Sequence, residues 1–228
     1  MSDANISNQT FSAAMVRILP FAVFMAFVMA GSVVPDVTAG WDVRNLFTLR
    51  ALVVGGLLLI FWRRYTELYV TVPSRGECVL AVTSGLAVFV MWINLDIPWA
   101  TFGEMQTFDP MRDDGGIDWF LVQFRLLGLA IVVPVMEELF WRSFLMRWID
   151  RQDFLVLPAN QIGIRALVIS SVLFASEHQL WLAGLIAGLV YGTLYVRTGN
   201  LWVPIISHAV TNSVLGFWIL ATGNWRFW

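Results

Sequence analysis

The chain has 228 residues, of which 58% are apolar and only 13% are charged. Because a soluble domain carries about a quarter charged residues, this composition excludes a disordered chain and argues against an ordinary soluble enzyme. The formal net charge is −2, which argues against nucleic acid as a partner, since phosphate binding requires a basic face. The single cysteine, Cys78, excludes an internal disulfide and a multi-cysteine metal cluster.

Residues 1–12 are polar and carry no positive charge, which predicts a short cytoplasmic N-terminus rather than a cleavable signal peptide. The apolar runs that follow suit membrane spans of about 20 residues each. In chain order they cover residues 13–34, 46–62, 78–95, 119–148, 162–175, 180–196 and 201–221. The sequence therefore predicts an all-α, polytopic membrane bundle of seven or eight transmembrane helices, forming a single domain over residues 1–228.

Arginine is concentrated in alternate links between these runs. The links at 63–75 and 147–165 are rich in arginine, whereas the link at 96–118 is rich in aspartate and glutamate. Because arginine-rich links stay in the cytoplasm, the N-terminus is predicted to lie inside and the acidic link outside. The aromatic residues of the acidic link suit the membrane surface, where rings with one wet edge are favoured.

Polar side chains within the apolar runs are the candidate functional residues, because an ionisable group at membrane depth is costly. Glu138 and Arg142 are four residues apart and can pair on one helix face. Glu137 points about 100° away from Glu138 and has no cation at the favoured spacing. This division predicts one structural carboxylate, Glu138, and one free carboxylate, Glu137, that is able to act as a base.

The two histidines of the chain also lie in or beside apolar runs. His178 follows the run at 162–175, and His208 precedes Asn212 by four residues, so that both project from one helical face. An imidazole and an amide on one face can donate hydrogen bonds to a developing oxyanion. Taken singly, each residue has a simpler interpretation, as a hydrogen-bonded interior histidine or as an asparagine that joins two helices.

Taken together, these residues resemble a known family. Three motifs occur in order, Glu137-Glu138-x-x-x-Arg142, Phe174-x-x-x-His178 and His208-x-x-x-Asn212. This order is similar to that of the CAAX protease and bacteriocin-processing family of intramembrane proteases (CPBP, also called Abi). Pro134, just ahead of the paired glutamates, and the stretch 192–208 add to the resemblance. It covers residues 134–214, which we interpret as the catalytic motif region.

The resemblance implies a role for each motif residue. Glu137 would be the general base that takes a proton from water, and His178 would hold and polarise that water. His208 and Asn212 would stabilise the tetrahedral oxyanion. Glu138, paired with Arg142, would brace the site. The family chemistry requires no metal, no other cofactor and no acyl-enzyme.

The resemblance also implies partners. The chain would act in the lipid bilayer of a prokaryotic inner membrane on a membrane-associated protein or peptide. Within the family it is similar to the CAAX prenyl protease-related subgroup, which is associated with exosortase-type systems, so a protein-sorting system is a further expected partner. The competing hypothesis is a non-catalytic membrane scaffold, immunity or transport protein of the same fold.

Two other chemistries stay open at this stage. Glu137, His178 and His208 supply three ligand types that zinc accepts, although the His-Glu-x-x-His pattern is absent. Ser176 and Ser207 each neighbour a histidine, although the Gly-x-Ser-x-Gly nucleophile elbow is absent. Cys78 lies far from the motifs and is interpreted as a small apolar filler.

Three further features shape the expectations for packing. The glycines at 184, 188 and 192 form a ladder of small residues that predicts close helix packing within the bundle. Arg50 and Arg125 lie within apolar runs, where they are expected to reach an interface or pair with an acid. In a simple up-and-down count, Glu137 and His178 fall at opposite ends of successive helices. They can therefore meet only if a break at Pro134, a short or tilted helix, or a re-entrant segment intervenes.

Overall fold

A computed structural model describes the backbone of residues 3–33, 37–38, 41–42, 44–70, 72–103 and 108–228. Side chains are described over the same ranges except at 3–9, 32–33, 37–38, 41 and 70. The predicted end of the first apolar run at residue 34, and residues 1–2 of the predicted N-terminus, lie outside the described residues. Residues 104–107 of the acidic link also lie outside them.

The regular secondary structure of the described residues is helical apart from one short strand pair and an isolated β-bridge between Met111 and Ile117. The helices are α1 Asp3–Val33, α2 Asn45–Phe61, α3 Glu67–Val70, α4 Arg75–Asn94, α5 Trp119–Leu127, α6 Val133–Glu138, α7 Met146–Asp150, α8 Ile164–Ser176, α9 Trp181–Thr198 and α10 Trp202–Thr222. Between α1 and α2, the strands β1 Val37–Thr38 and β2 Trp41–Asp42 pair antiparallel. The α1 helix thus begins within the segment predicted to be a polar N-terminus.

Five helical stretches of the described residues are long and apolar enough to cross a membrane. They are Thr10–Gly31, Asn45–Arg64, Arg75–Asn94, Trp119–Asp150 and Trp202–Thr222. The α8 helix is apolar but shorter. The chain is therefore an integral, polytopic membrane bundle, as the sequence predicts, whereas the predicted count of seven or eight spans is not confirmed.

The fourth stretch is one helix of 32 residues, Trp119–Asp150. Two π-helical segments, Gly128–Val132 and Leu139–Leu145, join α5, α6 and α7 into this single helix. At 1.5 Å per residue it is about 48 Å long, which exceeds the hydrocarbon core of about 30 Å. Glu137 therefore lies in the interior of the helix rather than near its end.

The α8 helix has only 13 residues, which corresponds to about 20 Å. It ends before it would cross the full hydrocarbon thickness, so the turn that carries His178 stays within the bundle. A short helix was one of the three ways in which Glu137 and His178 were expected to approach each other. The structure has this short helix, and the long helix passes Pro134 without a break because a π-helical segment directly precedes it.

The glycine ladder packs α9 against α8. A Cβ at Gly184 would lie 3.2 Å from the Cα of Ala175 and 3.2 Å from the Cβ of His178. A Cβ at Gly188 would lie 3.1 Å from the Cα of Ser171. The predicted packing of this ladder within the bundle is confirmed, and at Gly184 it fixes the backbone next to His178.

A second close approach, at Gly85, was not predicted. A Cβ there would clash with the backbone carbonyl of Ser207 and would lie 2.9 Å from the Cβ of Val210. The hydroxyl of Thr211 donates to the Gly85 carbonyl at 2.9 Å. This contact sets the distance between α4 and α10, and thus the position of the helix that carries His208.

We expect Gly85→Ala to destabilise the protein by about 2 kcal/mol, because overpacking a close helix crossing costs roughly 1–3 kcal/mol. The measurement is the free energy of unfolding in detergent micelles. The matched control is Gly56→Ala, also within a membrane-length helix, where a Cβ meets nothing within 4 Å. The control should be neutral or slightly stabilising. Equal stability of the two variants would contradict this view of the α4–α10 contact.

A buried ion pair joins α1 to α3, and Ser143 of the second π-helical segment forms hydrogen bonds with both partners. Arg17 Nη2 lies 2.6 Å from Glu67 Oε2, and the Arg17 side chain is fully buried. The Ser143 hydroxyl donates to Glu67 Oε1. Burial opposes ionisation of Glu67, but Arg17 and Ser143 outweigh it and hold the pKa of this carboxyl below its usual range. The pair thus stabilises the fold above the ordinary glutamate pKa, and this stabilisation is lost as the pH falls through the lower folded-state value.

Candidate active site

The centre of the site is a buried triad formed by Glu138, Arg142 and His208. Glu138 Oε2 lies 3.1 Å from Arg142 Nε, and Glu138 Oε1 lies 3.0 Å from His208 Nδ1. Glu138 is 0% exposed and Arg142 is 1% exposed. The spacing of four residues predicted the contact between Glu138 and Arg142. Its extension to His208 on α10 joins two motifs that are 70 residues apart and was not predicted from spacing.

Aromatic rings form the walls of this triad. The guanidinium of Arg142 lies 4.7 Å from the ring centroid of Phe174, and its Nη2 donates to the Gly188 carbonyl at 3.3 Å. The His208 ring stacks on Tyr191, with centroids 4.9 Å apart and 18° between planes. Stacking and the Glu138 contact together fix the plane of the His208 imidazole.

Tyr191 was missed by the sequence reasoning, although it is one of only 4 tyrosines in the chain. It is 1% exposed, and its hydroxyl donates to Thr211 Oγ1 at 2.8 Å. Thr211 in turn donates to the Gly85 carbonyl. A tyrosine within an otherwise apolar run is the signal that would have indicated this position, because a buried phenol requires a hydrogen-bond partner.

His178 lies beside the triad at the end of α8. Its Nδ1 lies 2.8 Å from the carbonyl oxygen of Phe174, and a carbonyl only accepts, so Nδ1 carries the proton and Nε2 is free to accept. The His178 ring contacts Phe174 at 4.6 Å and Trp92 at 5.4 Å between centroids. Since His208 also contacts the Phe174 ring, at 6.2 Å, the two imidazoles share one aromatic neighbour.

Glu137 presents a different environment from its neighbour Glu138. It is 6% exposed, and its Oε2 atom has no hydrogen-bond partner among the residues that the structure describes. The charged groups that act on it are Glu177, Glu138 and Arg142. The two adjacent glutamates therefore differ in their ion pairs: Glu138 contacts Arg142 and His208, whereas Glu137 has no ion pair among the described residues.

Glu177 enters the site as a second carboxylate near Glu137. Its position directly before His178 in the sequence is compatible with either of two roles, tuning that imidazole or a solvated place at a helix end. It is half-buried at the end of α8 and interacts electrostatically with Glu137. The charge of Arg142 acts on both carboxylates.

Asn212 forms a hydrogen bond with the backbone of the long helix. The N–H of Val133 pairs with the Gly128 carbonyl in the first π-helical segment, and the next residue, Pro134, has no N–H. The Leu129 carbonyl is thereby left for a side chain, and Asn212 Nδ2 donates to it at 2.9 Å. One of the two amide hydrogens of Asn212 is thus used to join α10 to the long helix, as expected for an asparagine that links helices.

The structure brings some of the predicted site residues into direct contact and leaves others without a direct contact. Glu138, Arg142 and His208 are in direct contact, and both imidazoles contact Phe174. Within the described part of the chain, no hydrogen bond joins Glu137 to His178 or to His208. Glu137 directly precedes Glu138 of the triad in sequence, and the charges of Glu138 and Arg142 act on it.

The two other chemistries find little support in this geometry. No group of three histidine, cysteine, aspartate or glutamate side chains among the described residues is placed to hold a metal ion, so the three residues considered for zinc do not form such a group. Ser176 donates to the Leu173 carbonyl at 2.7 Å. The buried Ser207 hydroxyl has no partner among the described side chains and backbone, so neither serine is activated by a histidine contact.

Comparison with family models identifies the region that contains the site. Residues 119–214 match the model described as type II CAAX prenyl endopeptidase Rce1-like. This region is therefore similar to the Rce1-like family. The resemblance to CAAX proteases predicted from the motifs is confirmed, and the match begins earlier than the predicted residue 134, at the start of α5. The Rce1-like region thus contains the complete long helix, α8, α9 and the part of α10 that carries His208. Comparison of the chain with curated proteins and with solved structures gives no match.

Proposed function

We propose that the protein is a glutamate-dependent intramembrane endopeptidase that hydrolyses a peptide bond of a membrane-associated protein or peptide. The Rce1-like match supports an endopeptidase. The observation that carries the mechanism is the pair of neighbouring buried glutamates. Glu138 is in ion-pair contact with both Arg142 and His208, whereas Glu137 has no ion pair among the described residues and keeps one buried oxygen without a hydrogen-bond partner there.

In this mechanism, Glu137 removes a proton from a water molecule as the water oxygen attacks the peptide carbonyl carbon. The acceptor nitrogen of His178, Nε2, orients that water. The proton then passes from Glu137 to the departing amine as the carbon–nitrogen bond breaks. No metal and no covalent enzyme intermediate is required in this sequence of steps.

The developing oxyanion requires hydrogen-bond donors aimed at it. His208 directs Nδ1 at Glu138, so when its ring is doubly protonated the Nε2–H is the donor available to substrate. The second amide hydrogen of Asn212 is the other donor. Glu138 and Arg142 act here by positioning rather than by contact with substrate.

Comparative proteomics tests this function. The C-terminal peptides of membrane proteins are compared between cells producing the wild type and cells producing Glu137→Gln, which retains the shape of the side chain but removes the base. We expect at least one processed C-terminus to disappear in the variant. Unchanged processing would reject the catalytic assignment and favour the scaffold hypothesis, under which Glu137→Gln is tolerated while Glu138→Ala disrupts function.

A further inference from the structure

Outside the site, a cavity of about 130 Å³ lies between α1, α2 and the first part of the long helix. Its apolar walls include Phe24, Ala51 and Val133. Two arginines, Arg50 and Arg125, also line it. Both lie within membrane-length helices, so the cavity combines an apolar groove with two cations at membrane depth.

These two arginines have no carboxylate partner within the described part of the chain. Arg125 lies 4.1 Å from the ring centroid of Phe47 and 4.3 Å from that of Phe108. Arg50 lies 4.4 Å from that of Phe24 and 5.0 Å from that of Phe47. The charge of Arg50 acts unfavourably on Arg125, and Arg125 Nη1 is buried without a hydrogen-bond partner among the described residues.

Three arginines that are buried in the described part of the chain do have partners. Arg17 pairs with Glu67, Arg142 pairs with Glu138, and Arg147 donates to two backbone carbonyls. Cation–π contacts contribute only about 0.5–2 kcal/mol each and leave the positive charge in place. Two like charges held together in an apolar cavity therefore point to an anion that binds between them.

We propose that this cavity is a binding site for a phospholipid with a net anionic head group, such as phosphatidylglycerol. The planar guanidinium matches a phosphate through paired hydrogen bonds, and the apolar walls suit an acyl chain. Arg50 and Arg125 lie within the first two turns of α2 and of α5, so both can extend toward the head-group level. Basic pockets between membrane helices bind lipid heads in this way. This site is independent of the proposed peptidase function.

Native mass spectrometry of delipidated protein tests the site. The protein is titrated with phosphatidylglycerol or with phosphatidylcholine, and the bound lipid is counted. We expect the wild type to retain one phosphatidylglycerol in preference to phosphatidylcholine. Removal of one cation in Arg50→Gln or Arg125→Gln should weaken that binding by about five- to tenfold. The control is Arg112→Gln, which changes an exposed arginine in the acidic link and should bind as the wild type does.

Arg50→Lys and Arg125→Lys keep the charge and separate lost binding from lost folding. They should bind phosphatidylglycerol more tightly than the glutamine variants. The proposal is overturned if the glutamine variants retain the lipid as the wild type does, or if the two lipids bind equally. It is also overturned if inorganic phosphate, or a peptide with a free C-terminal carboxylate, occupies the site in place of the lipid.

Discussion

Glu137→Gln is expected to lower the rate of peptide hydrolysis by roughly 10²–10⁴-fold, the usual contribution of a general base. The amide has nearly the same shape as the carboxylate but cannot accept the water proton at pH 7. Because the triad around Glu138 is not altered, the variant should fold as the wild type does. The measurement is the single-turnover rate on the substrate that the proteomic comparison identifies, in matched lipid vesicles.

The informative control for this variant is Glu177→Gln. Glu177 is a half-buried carboxylate whose charge acts on Glu137. It directly follows α8 and does not belong to the long helix. If Glu137 is the base, Glu177→Gln should cost much less than Glu137→Gln. A large loss in Glu177→Gln together with normal hydrolysis by Glu137→Gln would transfer the role of base to Glu177.

The features that could be predicted from the sequence depend on spacing between residues that are close along the chain. The lengths of the apolar runs predicted the membrane bundle, and the four-residue spacing predicted the contact between Glu138 and Arg142. Both features depend on residues that are close in sequence. The predicted number of spans is not confirmed, because an apolar run does not fix the length of its helix: α8 is apolar but has only 13 residues.

The contacts between distant elements could not be inferred from spacing. The His208–Glu138 contact joins residues 70 positions apart. The sequence does not indicate which donor of another helix contacts Glu138. The two π-helical segments could not be predicted either, because they consist of residue types that also form ordinary α-helices. A break at Pro134 was one of the alternatives that the sequence left open, whereas in the structure the missing N–H of Pro134 is accommodated by the π-helical segment and by the Asn212 side chain.

Glu138→Ala is expected to destabilise the protein by about 3–5 kcal/mol, because removal of one member of a buried ion pair leaves the other charge without a partner. Arg142 is 1% exposed and has no route to solvent, and His208 loses its contact through Nδ1. The measurement is the free energy of unfolding in detergent micelles. The control is Asp114→Ala, which breaks an ion pair whose side chains are 54% and 66% exposed and should cost no more than about 1 kcal/mol.

A double variant separates stability from positioning in the same triad. Glu138→Leu combined with Arg142→Met removes both charges together, and such replacements are often neutral or stabilising, so most of the lost stability should return. Hydrolysis should not return, because the His208 ring would lack the carboxylate that directs Nε2 toward the substrate. A double variant that is both stable and fully active would show that the triad is only a packing element, and that His208 needs no support from Glu138.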